Sequence, residues 1–158
     1  MKDWIDDIAE QSELKREQAA ADIQASLAAE RLLEQETPEF IRQLGVELQA
    51  MVNKLPKIRV EGSFSDNSQE NFETRYHISL RRASLNPEIT EIHVFHQPRT
   101  HVVRCHPLRR AAFELHFTVN PNGCTIALFS KSNLSPMNPY QAAQFIMQPE
   151  VDMVRPRS

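Results

Sequence analysis

Glycine is nearly missing from this chain: only Gly45, Gly62 and Gly123 occur in 158 residues. Loops that cradle phosphate need clustered glycines, because only a backbone free of Cβ brings several N–H groups onto one anion. The scarcity excludes a P-loop and a dinucleotide-binding fingerprint. Neither a Gly-x-Ser-x-Gly elbow nor a His-Glu-x-x-His helix is present, which removes two common hydrolase signatures. Cysteine is also sparse. Cys105 and Cys124 show no Cys-x-x-Cys spacing, and two thiols are too few for a disulfide scaffold, so reduced thiols and a cytoplasmic location are expected. No apolar run approaches the roughly 18 residues of a membrane-spanning helix. The start, Met1-Lys2-Asp3-Trp4-Ile5-Asp6-Asp7, has no continuous apolar stretch and predicts no secretory leader.

Histidine is absent from the first 55 residues. All six (His77, His93, His96, His101, His106 and His116) fall in one later stretch. Charge divides at the same place. Residues 1–55 hold twelve acids and six Lys/Arg, for −6, and the rest hold nine acids and twelve Lys/Arg, for +3; together these make the net −3. Apolar content of 41% and charge of 25% are ordinary for a globular chain. The length suits one compact domain.

The front of the chain reads as helix. Asp3 is a suitable cap, with Asp6 and Asp7 in the first turn, and neither Gly nor Pro follows until Glu36. The apolar stripe is thin: Trp4, Ile5 and Ile8 form one patch, and Ala19, Ala20, Ile23 and Leu27 another. Such a helix has little to bury on its own body and is expected to protrude or to pair. Thr37-Pro38 predicts a restart, because Thr caps and Pro fits the first helical position. Phe40, Ile41, Leu44, Leu48, Met51, Val52 and Leu55 then recur at helical spacing, a core face that Pro56 ends.

Beyond Pro56 the pattern alternates. Ile58, Val60 and Phe64 predict one strand. Phe72, Thr74, Tyr76, Ile78 and Leu80 predict the face of a second. Asn86-Pro87 predicts a turn. Residues 89–96 and 100–106 predict a hairpin across 97–99, and 111–119 with 125–131 another across Asn120-Pro121-Asn122-Gly123. The last loop puts Leu115 opposite Phe129 or Leu128, according to its length. Asn138-Pro139-Tyr140-Gln141 predicts a capped helix carrying Ala143, Ile146 and Met147, ended by Pro149. The expected fold is α+β: an antiparallel sheet of about five to six strands packed on helices, with a long N-terminal helix and a short C-terminal helix. The expected division is a protruding helix over 1–36, one domain over 37–149, and a flexible tail over 150–158.

Function is read from what remains. The first expectation is a non-enzymatic, homodimeric interaction protein without cofactor. Trp4, Ile5, Ile8, Ile23 and Leu27 would supply apolar contact. Arg99, Arg104, Arg109 and Arg110, with Arg75 and Arg81, would form a basic surface for an acidic protein partner or the acidic arm of a second copy. Nucleic acid and membrane are not expected partners, given a pI near 6.1 and no aromatics interleaved with the basic residues. The alternative is a ligand-binding or hydrolytic pocket between sheet and helix, with or without metal. His77, His93, His116, Glu91 and Glu114 would line it, His93, His116, Glu91 and Glu114 being the catalytic candidates. His93, His101, Cys105 and His116 are the metal-ligand candidates, if the 97–99 hairpin puts them on one face.

Overall fold

The computed structural model describes residues 3–84 and 87–156. The expected turn at Asn86, the first two residues of the opening segment and the last two of the tail lie outside them.

The order is α1 (Trp4–Lys54), a 3-10 turn (Leu55–Ile58), β1 (Val60–Asp66), β2 (Thr74–Arg82), β3 (Ile89–His96), β4 (Val102–Pro107), β5 (Phe113–Val119), β6 (Ile126–Ser130), β7 (Asn133–Met137) and α2 (Pro139–Val154). The strands form one antiparallel sheet in sequence order. The α+β class stands, with seven strands where five to six were expected. The added strand is β7, whose Asn-Leu-Ser-Pro-Met sequence does not alternate. Its Pro136 is tolerated because β7 is an edge.

Alternation sorts the sheet into two faces. Val60, Tyr76, Ile78, Leu80, Ile92, Val94, Val103, Cys105, Leu115, Phe117 and Leu128 point inward and are buried. Phe40, Ile41, Leu44, Leu48 and Val52 of α1 and Ala142, Ala143, Ile146 and Met147 of α2 complete the same core. Helix and sheet approach tightly at Gly45. A Cβ there would sit 2.6 Å from the Tyr76 ring, and the Tyr76 hydroxyl donates to the Ile41 carbonyl at 2.9 Å. Glycine at 45 is what allows the tyrosine to reach the helix backbone.

Four expectations need correction. α1 does not restart at Thr37 but runs unbroken for 51 residues. Pro38 removes one backbone donor and sits on the exposed side, while the next turns are held by packing, which outweighs the lost bond. Ile58 and Phe72 belong to no strand; Ile58 lies in the 3-10 turn and Phe72 is 66% exposed before β2 begins. The 120–125 loop closes through Asn120 and Thr125, so Leu115 faces Ser130 and Phe117 faces Leu128, one residue beyond the expected Phe129 pairing and two beyond the Leu128 one. Finally, Pro149 does not end the last helix, which continues to Val154. Residues 150–154 are no loose tail. Glu150 and Val154 are fully buried.

Glu150 explains that continuation. Its carboxylate accepts from Thr90 Oγ1 at 2.7 Å and from Arg110 Nε at 2.7 Å. Arg110 also lies over the Phe113 ring, 4.6 Å from its centroid. Arg82 Nε donates to the Val154 carbonyl at 3.0 Å and closes the helix end. The N-terminus of α2 follows its sequence: Asn138 Oδ1 accepts from the Gln141 amide at 2.8 Å, and Gln141 Oε1 accepts from the Asn138 amide at 3.0 Å.

Candidate functional site

Two surfaces are left over once the core is assembled. The first is the front of α1. Every residue from Asp3 to Ala28 is exposed, including Trp4 at 69%, Ile5, Ile8, Leu14, Ile23 and Leu27. At 1.5 Å per residue this arm extends roughly 40 Å from the body. On an ideal helix advancing about 100° per residue, Trp4, Ile5, Ile8, Ala19, Ile23 and Leu27 occupy one arc about 140° wide. Phe40, Ile41, Leu44, Leu48, Met51 and Val52 occupy the same arc. The arm therefore carries two apolar patches in phase with the stripe that its own base packs on the sheet, separated within that arc by Ser12, Lys15 and Arg16. At the root of the arm, a cleft of about 650 Å³ opens between α1 and the 97–101 turn. Leu33, Pro38, Ile41 and Pro98 supply its apolar wall, and Glu34, Thr37, His96, Arg99 and His101 its polar groups. The Thr37 hydroxyl is buried there without a hydrogen bond.

The second surface is the outer face of the sheet, which neither helix covers. His77, His93 and His106 stand directly opposite one another on β2, β3 and β4. The His77 and His93 rings stack with centroids 4.4 Å apart, His93 stacks on Phe95 at 5.9 Å, and His106 meets Phe95 edge-on at 5.1 Å. Arg75 caps Phe95 from above, 5.0 Å from the ring centroid. Glu91 Oε2 lies 3.5 Å from His77 Nε2. Burial, then the neighbouring His77, holds the His93 imidazole below its ordinary pKa. His77, Glu91 and His93 each present a ligand-type atom, all within 4.8 Å of one another.

The structure separates most of the residues expected to cooperate. His77, His93, His116, Glu91 and Glu114 do share a face, but it is the open one. The space between sheet and helices, where a pocket was expected, is filled by apolar side chains. His116 lies two strands away from His93, against Phe129 and 3.8 Å from Glu114. Cys105 points to the opposite side of the sheet, where burial pushes its thiol up to about 12. It cannot join His93 as a ligand or act as a ready nucleophile. His101 belongs to the turn at the arm's root. Of the four metal candidates, only His93 sits in a ligand-like cluster. Its partners there are Glu91, weighed earlier for the pocket lining and for catalysis, and His77, weighed for the pocket lining. The cross-strand pairing His77↔His93 was the missed signal, and it required the β2–β3 register.

The basic stretch is largely used within the fold. Arg104 pairs with Glu114 at 3.7 Å, Arg109 with Glu88 at 3.3 Å and Arg110 with buried Glu150 at 2.7 Å. Arg81 pairs with Glu61 across β1 and β2. Arg99 is different: it occupies a left-handed position (φ 69°) in the 97–101 turn and lines the cleft at the arm's root. No described helix is long and apolar enough to cross a membrane. Comparison with protein families, with curated proteins and with solved structures finds no match to this chain.

Proposed function

We propose that this protein is a self-associating interaction module in which the arms of two copies pair antiparallel. The observation that carries this reading is the in-phase apolar stripe on a helix segment whose every residue, from 3 to 28, is exposed. Helices in proteins draw most of their stability from packing an apolar face, and this segment packs none on its own body. Burying Trp4, Ile5, Ile8, Ile23 and Leu27 against a second copy contributes roughly 8–15 kcal/mol of gross apolar stabilisation per arm, before association costs.

Charge selects the antiparallel arrangement. Parallel arms would bring Asp3, Asp6 and Asp7 of both copies together. Antiparallel arms place Trp4 of one copy beside Leu33 of the other, an overlap of roughly 44 Å. The acidic tip then meets Arg31, Arg99 and His101 at the root, alongside Glu30 and Glu34, and Asp22 meets Lys15 along the arm. Trp4 reaches the cleft walled by Leu33, Pro38, Ile41 and Pro98. The cleft gives the tip a seat, and the antiparallel direction keeps the two acidic tips apart.

Trp4 is the sole tryptophan and reports on its own surroundings. Light scattering on the full chain is expected to give twice the 18.2 kDa chain mass, with Trp4 emission blue-shifted and moving red on dilution. Ile8→Glu and Ile23→Glu should each halve the mass and leave the circular dichroism of the sheet unchanged. A monomer at about 100 μM with a fully solvated Trp4 would overturn the proposal.

A further inference from the structure

We propose that His77, Glu91 and His93 form a binding site for a divalent transition ion of the zinc type, on the open face of the sheet. The chemistry is that of a borderline cation, which takes imidazole nitrogen and carboxylate oxygen together. The two histidines are directly opposed across β2 and β3. Glu91 is two residues along β3 from His93, so alternation returns it to the same face. All three side chains therefore spring from two hydrogen-bonded strands in the middle of a seven-stranded sheet, a base that does not have to move when an ion binds.

The ligand atoms are close enough for side-chain rotation alone to finish the site. They lie within 4.8 Å of one another, while ligand atoms around a tetrahedral zinc stand about 3.3 Å apart at bond lengths of 2.0–2.2 Å. Closure therefore needs at most about 1.5 Å per pair, which half-exposed side chains supply by turning about χ1 and χ2 and splaying the stacked rings. Two ring nitrogens point to unfinished bonding. His77 Nε2 and His93 Nδ1 are shielded from solvent, and neither makes a hydrogen bond; Glu91 Oε2, at 3.5 Å from His77 Nε2, is the nearest polar group that approaches one of them. Buried polar nitrogens rarely remain unbonded without a reason, and coordination satisfies both at once. Three protein ligands leave one position for water or an anionic group, and Arg75, stacked on the neighbouring Phe95, supplies positive charge beside it.

The test is isothermal titration calorimetry of Zn2+ into the tag-free full-length protein, with Co2+ absorption as an independent readout of the ligand set. The expected result is one ion per chain, at least tenfold weaker binding in each of His77→Gln, Glu91→Gln and His93→Gln, and unchanged binding in His101→Gln and His116→Gln. These side chains are half-exposed on an uncovered face, and far-ultraviolet circular dichroism identifies which variants retain the fold. If one of them fails to fold, the other two decide. Absence of binding at 100 μM Zn2+ would overturn the proposal, as would binding that survives all three substitutions or that is lost equally in His101→Gln. The site lies apart from the arm, so its failure leaves self-association untouched.

Discussion

Glu150→Ala tests how the last helix is held. The carboxylate is fully buried and is satisfied by two groups, Thr90 Oγ1 and Arg110 Nε, each at 2.7 Å. Removing one partner of a buried ion pair costs about 3–5 kcal/mol when the other charge is left stranded. Arg110 is not wholly stranded, because its side chain keeps 29% of its exposure and can turn toward water. Thr90 has no such escape. It is fully buried, and an unsatisfied buried hydroxyl costs about 1–3 kcal/mol. The loss is expected near the lower end of the ion-pair range, about 2–4 kcal/mol. For a chain of this length that lowers Tm by roughly 4–16 °C at about 2–4 °C per kcal/mol. Thermal and urea unfolding followed by circular dichroism measure it, with Thr90→Val combined with Glu150→Ala as the companion variant. Removing the hydroxyl as well should recover part of the loss. A change below about 1 kcal/mol, or a double variant that is worse than additive, would refute the idea that this carboxylate anchors α2 to the sheet.

Three further substitutions have defined outcomes. Gly45→Ala drives a methyl into the Tyr76 ring and should cost about 1–3 kcal/mol; Tyr76→Phe, which removes only the hydroxyl bonded to the Ile41 carbonyl, should cost about 0.5–1.5 kcal/mol in the same unfolding assay. Burial lowers the His96 pKa below 6.5 despite the hydrogen bond its Nε2 donates to the Thr100 carbonyl. Below 6.5 the unfolded chain therefore binds the proton first, so the stability His96 contributes is complete above pH 6.5 and lost as pH falls through the folded value. His96→Gln should flatten that part of the stability–pH curve. An unchanged slope would refute it.

The parts of this fold that could be read from sequence are those where local pattern and tertiary packing agree. The stripe from Phe40 to Leu55 has one interpretation, and α1 buries it. Thr74, Tyr76, Ile78 and Leu80 alternate, and β2 alternates with them. Asn138 and Gln141 cap α2 because the box is complete within four residues. Sequence failed where a distant contact overrides a local signal. Pro149 reads as a stop, but Glu150 one residue later is clamped by Thr90 and Arg110, which lie far along the chain. β7 has no alternation and forms because β6 offers it an edge. The candidate site fell between these cases. The face of each histidine follows from alternation once its strand is right, but the meeting of His77 and His93 depends on register across a loop of uncertain length.

The sheet itself bears on which surface is free to associate. A meander has two edges, and edges are the usual route to unplanned pairing. β7 is five residues long and carries Pro136, which lacks a donor. β1 carries Glu61 and ends on Asp66. Neither presents a long apolar template. The outer face is interrupted by Arg75, Arg81, Glu91, Arg104 and Glu114, three of them in ion pairs with a neighbouring strand, so packing a second sheet there would desolvate paired charges for little apolar gain. Leu108 and Leu134 are exposed, but single exposed leucines are ordinary on a protein surface. Among the described residues, the arm is where large apolar side chains recur at helical spacing without a partner. Blunted edges and a charged outer face leave the arm as the described surface to which the proposed antiparallel, side-by-side pairing is assigned, because its large apolar side chains are in phase with the core stripe and stay exposed.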